Sequence, residues 1–128
     1  VGNQALQLQC YGALMALAAS SDERQAAIAS AGGIEALVVG MGAHVGNEAL
    51  QGFGCGVLKS LAAKSDERRA VIASAGGIEA LVAGMGAHVG SADVQKYGCW
   101  ALMNLTAGSD ERDGSHTIGA PISAVGTV

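Results

Sequence analysis

The sequence predicts an all-α fold built from repeated three-helix units, and three observations carry this prediction. The tetrapeptide Ser-Asp-Glu-Arg recurs with its aspartates at Asp22, Asp66 and Asp110, which sets a period of 44 residues. Repeats of this length are typical of helical solenoids and of propeller blades. Apolar residues recur at helical spacing, which favours helices. Aromatic residues, which strands of a propeller blade favour, make up only 3% of the chain.

Each period begins with a short helix, in the segment SDERQAAIASAGG. Ser21 can cap the first turn, and the acidic residues Asp22 and Glu23 match the positive end of the helix dipole. Gly32 supplies the left-handed residue that ends a helix. The same signals recur from Ser65 onward.

A middle helix and a longer third helix complete the period, because their apolar residues fall on single helical stripes. The middle-helix stripes are Ile34, Leu37, Val38 and Met41, and then Ile78, Leu81, Val82 and Met85. The third-helix stripes are Leu6, Ala13, Leu14 and Leu17; Leu50, Val57, Leu58 and Leu61; and Val94, Ala101, Leu102 and Leu105. His44 and His88 recur at the end of the middle helix, where histidine favours the negative end of the dipole.

The period divides the chain into four parts. Residues 1–20 are predicted to be the third helix of a truncated repeat, and residues 21–64 and 65–108 two complete repeats. Residues 109–128 form a divergent tail, which is predicted to be irregular because Gly, Ser, Thr and Pro break the helical pattern there. The tail is interpreted as a frayed or artificial end of a longer array, with a terminal cap as the alternative.

Composition and motifs argue against several functional classes. The formal net charge of −4 disfavours nucleic acid or an anionic membrane as the main partner. No apolar run reaches the roughly 18 residues of a transmembrane helix, and no signal peptide is visible, so a cytoplasmic or nuclear protein is expected. No catalytic set of residues is recognisable, so the sequence predicts a protein that is not an enzyme and has no cofactor. The cysteines, Cys10, Cys55 and Cys99, are predicted to be buried reduced thiols and not metal ligands or disulfides.

The runs AGGIEALV, present twice, and VQKYGCWALMNLTA resemble the second and third helices of armadillo repeats. The resemblance covers residues 1–112, and it implies a right-handed α-solenoid of three-helix armadillo-like repeats. In armadillo proteins that bind extended peptides, the third helices line a concave groove. Those helices carry a tryptophan that forms slots for side chains and, one turn later, an asparagine that binds the peptide backbone.

Trp100 and Asn104 match that pair. The resemblance therefore implies a peptide-binding groove along the third helices, whose candidate residues are Trp100, Asn104, Lys96, Ser60, Gly56, Ala16 and Gly12. Two alternatives stay open: Trp100 can fill space between repeats, and Asn104 can hydrogen-bond the neighbouring repeat's backbone.

The expected function is a non-enzymatic scaffold that binds an extended peptide or protein partner. The alternative is a structural spacer in a longer array with no dedicated ligand. Association of the chain with itself through exposed terminal faces is also expected, because solenoid repeats bury their core only against neighbouring repeats.

Overall fold

The computed structural model describes residues 4–113, which form seven α-helices and no β-strand. The helices are α1 (Gln4–Ser20), α2 (Asp22–Ser30), α3 (Gly33–Ala43), α4 (Glu48–Leu61), α5 (Asp66–Ser74), α6 (Gly77–Ala87) and α7 (Ala92–Asp113). The all-α prediction is therefore confirmed for this part of the chain. A helix of 9 residues, one of 11 residues and a longer helix follow one another twice, as α2 to α4 and as α5 to α7.

Local sequence signals set the bounds of the short helices. The hydroxyl oxygens of Ser21 and Ser65 accept hydrogen bonds from the backbone N–H groups three residues later, at 3.0 and 3.1 Å. Gly32 and Gly76 then adopt φ values of +83° and +92°, a left-handed conformation that glycine tolerates better than other residues. These glycines separate the short helix from the middle one, and the chain bends there by 74° in the first unit and 68° in the second.

A glutamine of the third helix binds the carbonyl groups at the end of the middle helix. Gln51 Nε2 donates to the carbonyl oxygens of Met41 and His44, at 3.0 Å each. Gln95 makes the same two bonds in the second unit, to Met85 at 2.8 Å and His88 at 2.9 Å. Carbonyls at a helix end lack partners within the helix, so these side chains fix the angle between the two helices.

Helix α4 lies between α1 and α7 and runs parallel to both. A β-carbon placed on Gly12 would lie 3.9 Å from the Phe53 ring, and one placed on Gly56 would lie 3.1 Å from Met15. The contacting positions therefore advance in the same direction along both helices. The core lies between these long helices and the short and middle ones, and it includes the fully buried Leu50, Leu58, Leu61, Ile72 and Leu81.

Equivalent residues, 44 positions apart, differ in burial. Ile34 is fully buried, whereas Ile78 is 40% exposed, because the second unit covers α3 and no described helix covers α6 in the same way. Leu50 is fully buried, whereas Leu6 in α1 is 56% exposed. Among the predicted apolar stripes of the described residues, only that of α4 is therefore buried at every position.

Helix α7 continues to Asp113, which is five residues into the segment predicted to be irregular. Glutamate and arginine, which occur in this extension, have good helix propensity. The rest of the predicted tail, residues 114–128, lies outside the described residues. Among the residues described, no single helix is both long and apolar enough to cross a membrane.

The prediction of three buried thiols is correct only for Cys55. Cys10 and Cys99 are exposed, since they lie on α1 and α7, whose outer sides are not covered by any described helix. Burial raises the pKa of Cys55 to about 11, and it raises the pKa of Tyr11 to about 12. Both groups are therefore held in their neutral forms by the fold.

We expect the protein to lose stability in alkaline solution. A group with a raised folded-state pKa contributes its full stabilisation below its ordinary pKa, which is 9.0 for the Cys55 thiol and 10.0 for the Tyr11 phenol. That stabilisation falls as the pH rises to about 11 for Cys55 and about 12 for Tyr11. The midpoint of urea unfolding should therefore decrease above pH 9, and Cys55→Ala should make the decrease between pH 9 and 11 shallower. Cys99→Ala, at the exposed equivalent position, is the control and should leave the slope unchanged.

Candidate functional site

The side chains at which α1, α4 and α7 contact one another define a surface that we call the long-helix face. It is defined by Gly12 and Met15 on α1, Phe53 and Lys59 on α4, and Tyr97 and Trp100 on α7. The three helices are parallel neighbours, so side chains at equivalent positions lie side by side across the face.

Trp100 and Lys96 are both exposed on this face, and each takes part in a contact between a cation and an aromatic ring. Lys59 Nζ lies 4.2 Å from the centroid of the Trp100 ring and 5.2 Å from that of Tyr97. Lys96 Nζ lies 5.0 Å from the Tyr97 centroid. These distances fall within the range of cation–π attraction, about 6 Å. Trp100 therefore already contacts a cationic side chain of its own chain.

Asn104 hydrogen-bonds the backbone of the neighbouring unit, which was the alternative to peptide binding. Its Nδ2 donates to the backbone oxygen of Lys59 at 2.9 Å. Helix α4 ends at Leu61, so the Lys59 oxygen belongs to the last turn, whose carbonyls lack partners in the helix. The Asn104 amide thus caps α4 from the neighbouring long helix.

Two of the predicted groove residues, Gly56 and Ser60, do not line an open surface. Both are buried, and Met15 of α1 lies over Gly56, where a β-carbon would be 3.1 Å from the Met15 sulfur and terminal methyl. Gly12 is half-buried beside Phe53, and Ala16 is exposed on α1. The structure therefore brings Trp100, Asn104 and Lys96 together on α7, but it does not continue their open surface across Gly56 and Ser60.

The contact of Met15 with Gly56 and that of Lys59 with Trp100 are equivalent by sequence position, since each residue of the second pair lies 44 positions after its counterpart. In both pairs, a long flexible side chain covers the same position of the next helix. The first pair combines methionine with glycine, and the second combines lysine with tryptophan. The tryptophan that occurs only in the last long helix is thus matched by Lys59 in the helix before it, at a position where the other long helices have Met15 and Met103.

A cavity of about 800 Å³ lies on the long-helix face, nearer the beginnings of α4 and α7. Met15, Phe53 and Tyr97 provide its apolar and aromatic lining, and the exposed carboxylates Glu48 and Asp93 lie at its edge. The remaining lining residues are Gly46, Asn47, Ala49, Gly52 and Ser91. Asn47 and Ser91 cap α4 and α7, because their side-chain oxygens accept from Leu50 N–H at 3.0 Å and Val94 N–H at 3.3 Å.

None of the groove residues that the sequence predicts lines this cavity. One sequence signal could have located it: Phe53 and Tyr97 are aromatic residues at the same position of consecutive repeats, in a chain with few aromatics. The acidic residues at its edge carry no comparable signal, because Glu48 and Asp93 occupy first turns of helices, where carboxylates are common for dipole reasons.

Comparison of the chain with protein-family models, with curated proteins and with solved structures gives no match.

Proposed function

We propose that the chain is a segment of a right-handed α-solenoid made of armadillo-like three-helix repeats. Support comes from contacts that recur 44 residues apart. The serine caps of α2 and α5, the left-handed glycines Gly32 and Gly76, and the paired bonds of Gln51 and Gln95 are the same in both units. Units that repeat both sequence and contacts stack in one direction and leave one helix of each unit on a common face.

On this basis, the protein acts as a non-enzymatic scaffold that binds an extended peptide or protein segment along the long-helix face. The observation that supports this function best is the 800 Å³ cavity, because its lining includes residues from α1, α4 and α7. Ligand sites in proteins have volumes of about 300–1,000 Å³ and combine apolar walls with a few polar groups. The bound segment is expected to insert an apolar side chain against Phe53 and Tyr97 while its backbone crosses the three helices.

Substitution of the aromatic lining should test this function. Peptides selected from a random library against the unmodified protein should bind about tenfold or more weakly to Phe53→Ala and to Tyr97→Ala, since buried aromatic anchors dominate interface energy. Fluorescence anisotropy of labelled peptides would measure the affinity. Val39→Ala, which truncates an exposed apolar side chain on α3, is the matched control and should have no effect. Equal affinity of all three variants would contradict binding at this cavity.

A structural spacer without a dedicated ligand is the alternative, and two observations favour it. The Asn104 amide and the Lys59 ammonium already have partners within the chain. Apolar side chains also lie exposed on α6 and α1, at positions whose equivalents in the centre are covered by a neighbouring unit. Such faces favour association with further repeats or with a second copy of the chain. A library that yields no peptide dependent on Phe53 or Tyr97 would support this alternative.

A further inference from the structure

Consecutive long helices pack against each other through a contact that recurs along the chain. Met15 of α1 lies over Gly56 of α4, and Lys59 of α4 lies over the Trp100 ring of α7. Among the described helices, the contacts of α4 with α1 and with α7 are the most extensive. Helix α1 makes its contact although the described residues include no short or middle helix of its own unit. A long helix therefore packs against the next long helix without them.

The two ends of this stack carry the two halves of the same contact. Met103 occupies the position in α7 that Met15 occupies in α1, and it is 58% exposed because no described helix follows α7. Gly12 occupies the position in α1 that Gly56 occupies in α4, and no described helix precedes α1. One end of the described stack thus presents a methionine and the other a glycine, which is the pair that joins α1 to α4.

The outer side of α1 has the character of a surface that is buried elsewhere in the protein. Helix α1 contains no charged residue, so it has no strongly polar side to turn toward water, and helices of this kind are typically buried. Leu6 is 56% exposed, whereas the equivalent Leu50 of α4 is fully buried. Ala16 is also exposed, whereas the equivalent Asn104 of α7 reaches the backbone of the preceding long helix. A further long helix would cover this side without burying a charge of α1.

We propose that copies of this chain associate head to tail, with α1 of one copy packed along the outer side of α7 of another. Met103 of the first copy then lies over Gly12 of the second, as Met15 lies over Gly56 within one chain. This contact joins two different surfaces, so every added copy leaves one surface of each kind free, and the association continues as an open row. The proposal is independent of peptide binding.

One glutamate on each surface tests the proposal in the full chain. Ala16→Glu places a charge on the outer side of α1, and Met103→Glu places one on the outer side of α7. Both positions are exposed and glutamate has good helix propensity, so each variant should fold, which circular dichroism would check. Val39→Glu, at an exposed apolar position of α3, is the matched control.

We expect light scattering to show that the mean mass of the unmodified protein and of Val39→Glu rises with concentration, above the 12.6 kDa of one chain. Each of the other two variants should associate about tenfold or more weakly, because the contact would bury an unpaired carboxylate. An unmodified protein that stays a single chain at every concentration would overturn the proposal, as would variants that associate like the control.

A mixture of the two variants tests the direction of the contact. Ala16→Glu keeps an intact α7 surface and Met103→Glu keeps an intact α1 surface, so equal amounts should form pairs of about 25 kDa, twice the mass of one chain, and nothing larger. If like surfaces joined instead, only one variant would lose association and mixing would restore nothing, which would overturn the proposal. The peptide selection has no bearing on this result, so the two proposals fail separately.

Discussion

Gly40→Ala should destabilise the protein by about 2 kcal/mol, although alanine usually strengthens a helix. Gly40 is buried in α3, beneath the Tyr11 and Gln7 side chains of α1. The Tyr11 hydroxyl donates to the Leu37 oxygen at 2.8 Å, and a β-carbon on Gly40 would collide with that hydroxyl oxygen. The same β-carbon would lie 3.1 Å from Gln7 Oε1, so the Tyr11 and Gln7 side chains would have to shift and the Tyr11 hydrogen bond would be disturbed. Urea unfolding followed by circular dichroism would measure the change.

Gly42 is the matched control for this substitution. It lies in the same helix, and a β-carbon there would have no atom within 4 Å, so Gly42→Ala should stabilise the protein by about 0.5–1 kcal/mol. Adding Tyr11→Phe to Gly40→Ala removes the colliding oxygen and should recover about 1 kcal/mol relative to the sum of the two single changes. If Gly40→Ala and Gly42→Ala stabilise the protein equally, the contact between α1 and α3 is not as described.

The helices themselves could be predicted because their signals are local. Ser21 and Ser65 cap helices through backbone groups three residues away, and Gly32 and Gly76 end short helices through their own φ angles. Signals of this kind lie within a few residues, so a single sequence contains them completely. The position of the helical stripes follows in the same way from spacing along one helix.

The candidate site could be predicted only in part, because it depends on contacts between helices. Burial of Gly56 under Met15, and the equivalent contact of Trp100 with Lys59, join residues 41 positions apart. Nothing near Gly56 in the sequence indicates that a side chain from α1 covers it. Resemblance to peptide-binding repeats located Trp100 on an exposed face, but it assumed that equivalent positions in each long helix are equally open. Whether such a position is open depends on the side chain that the preceding long helix places over it. This side chain is Met15 over Gly56 and Lys59 over Trp100.

A second large effect should come from Arg68, which joins the two units through hydrogen bonds in a buried position. Its side chain is only 8% exposed, and its Nε donates to the Leu61 oxygen, in the last turn of α4, at 2.9 Å. Its Nη2 donates to Asp22 Oδ1 and Gln25 Oε1 of α2, at 2.9 Å each. One guanidinium of the second unit therefore caps α4 and binds α2, both of which belong to the first unit.

Arg68→Met keeps the aliphatic part of this side chain and removes all three donated bonds, and we expect it to reduce the free energy of unfolding by about 2–4 kcal/mol. Most of this loss should come from the neutral acceptors, since the Leu61 and Gln25 oxygens lose their donor in a buried place, at about 1–3 kcal/mol each. The ion pair should contribute little, because the Asp22 carboxylate is 66% exposed and water can replace the guanidinium.

Asp22→Asn separates the two contributions: it removes the charge and should cost less than about 1 kcal/mol. Urea unfolding of both variants decides the matter, and a loss in Asp22→Asn as large as that in Arg68→Met would mean that the ion pair, and not the buried acceptors, holds the units together.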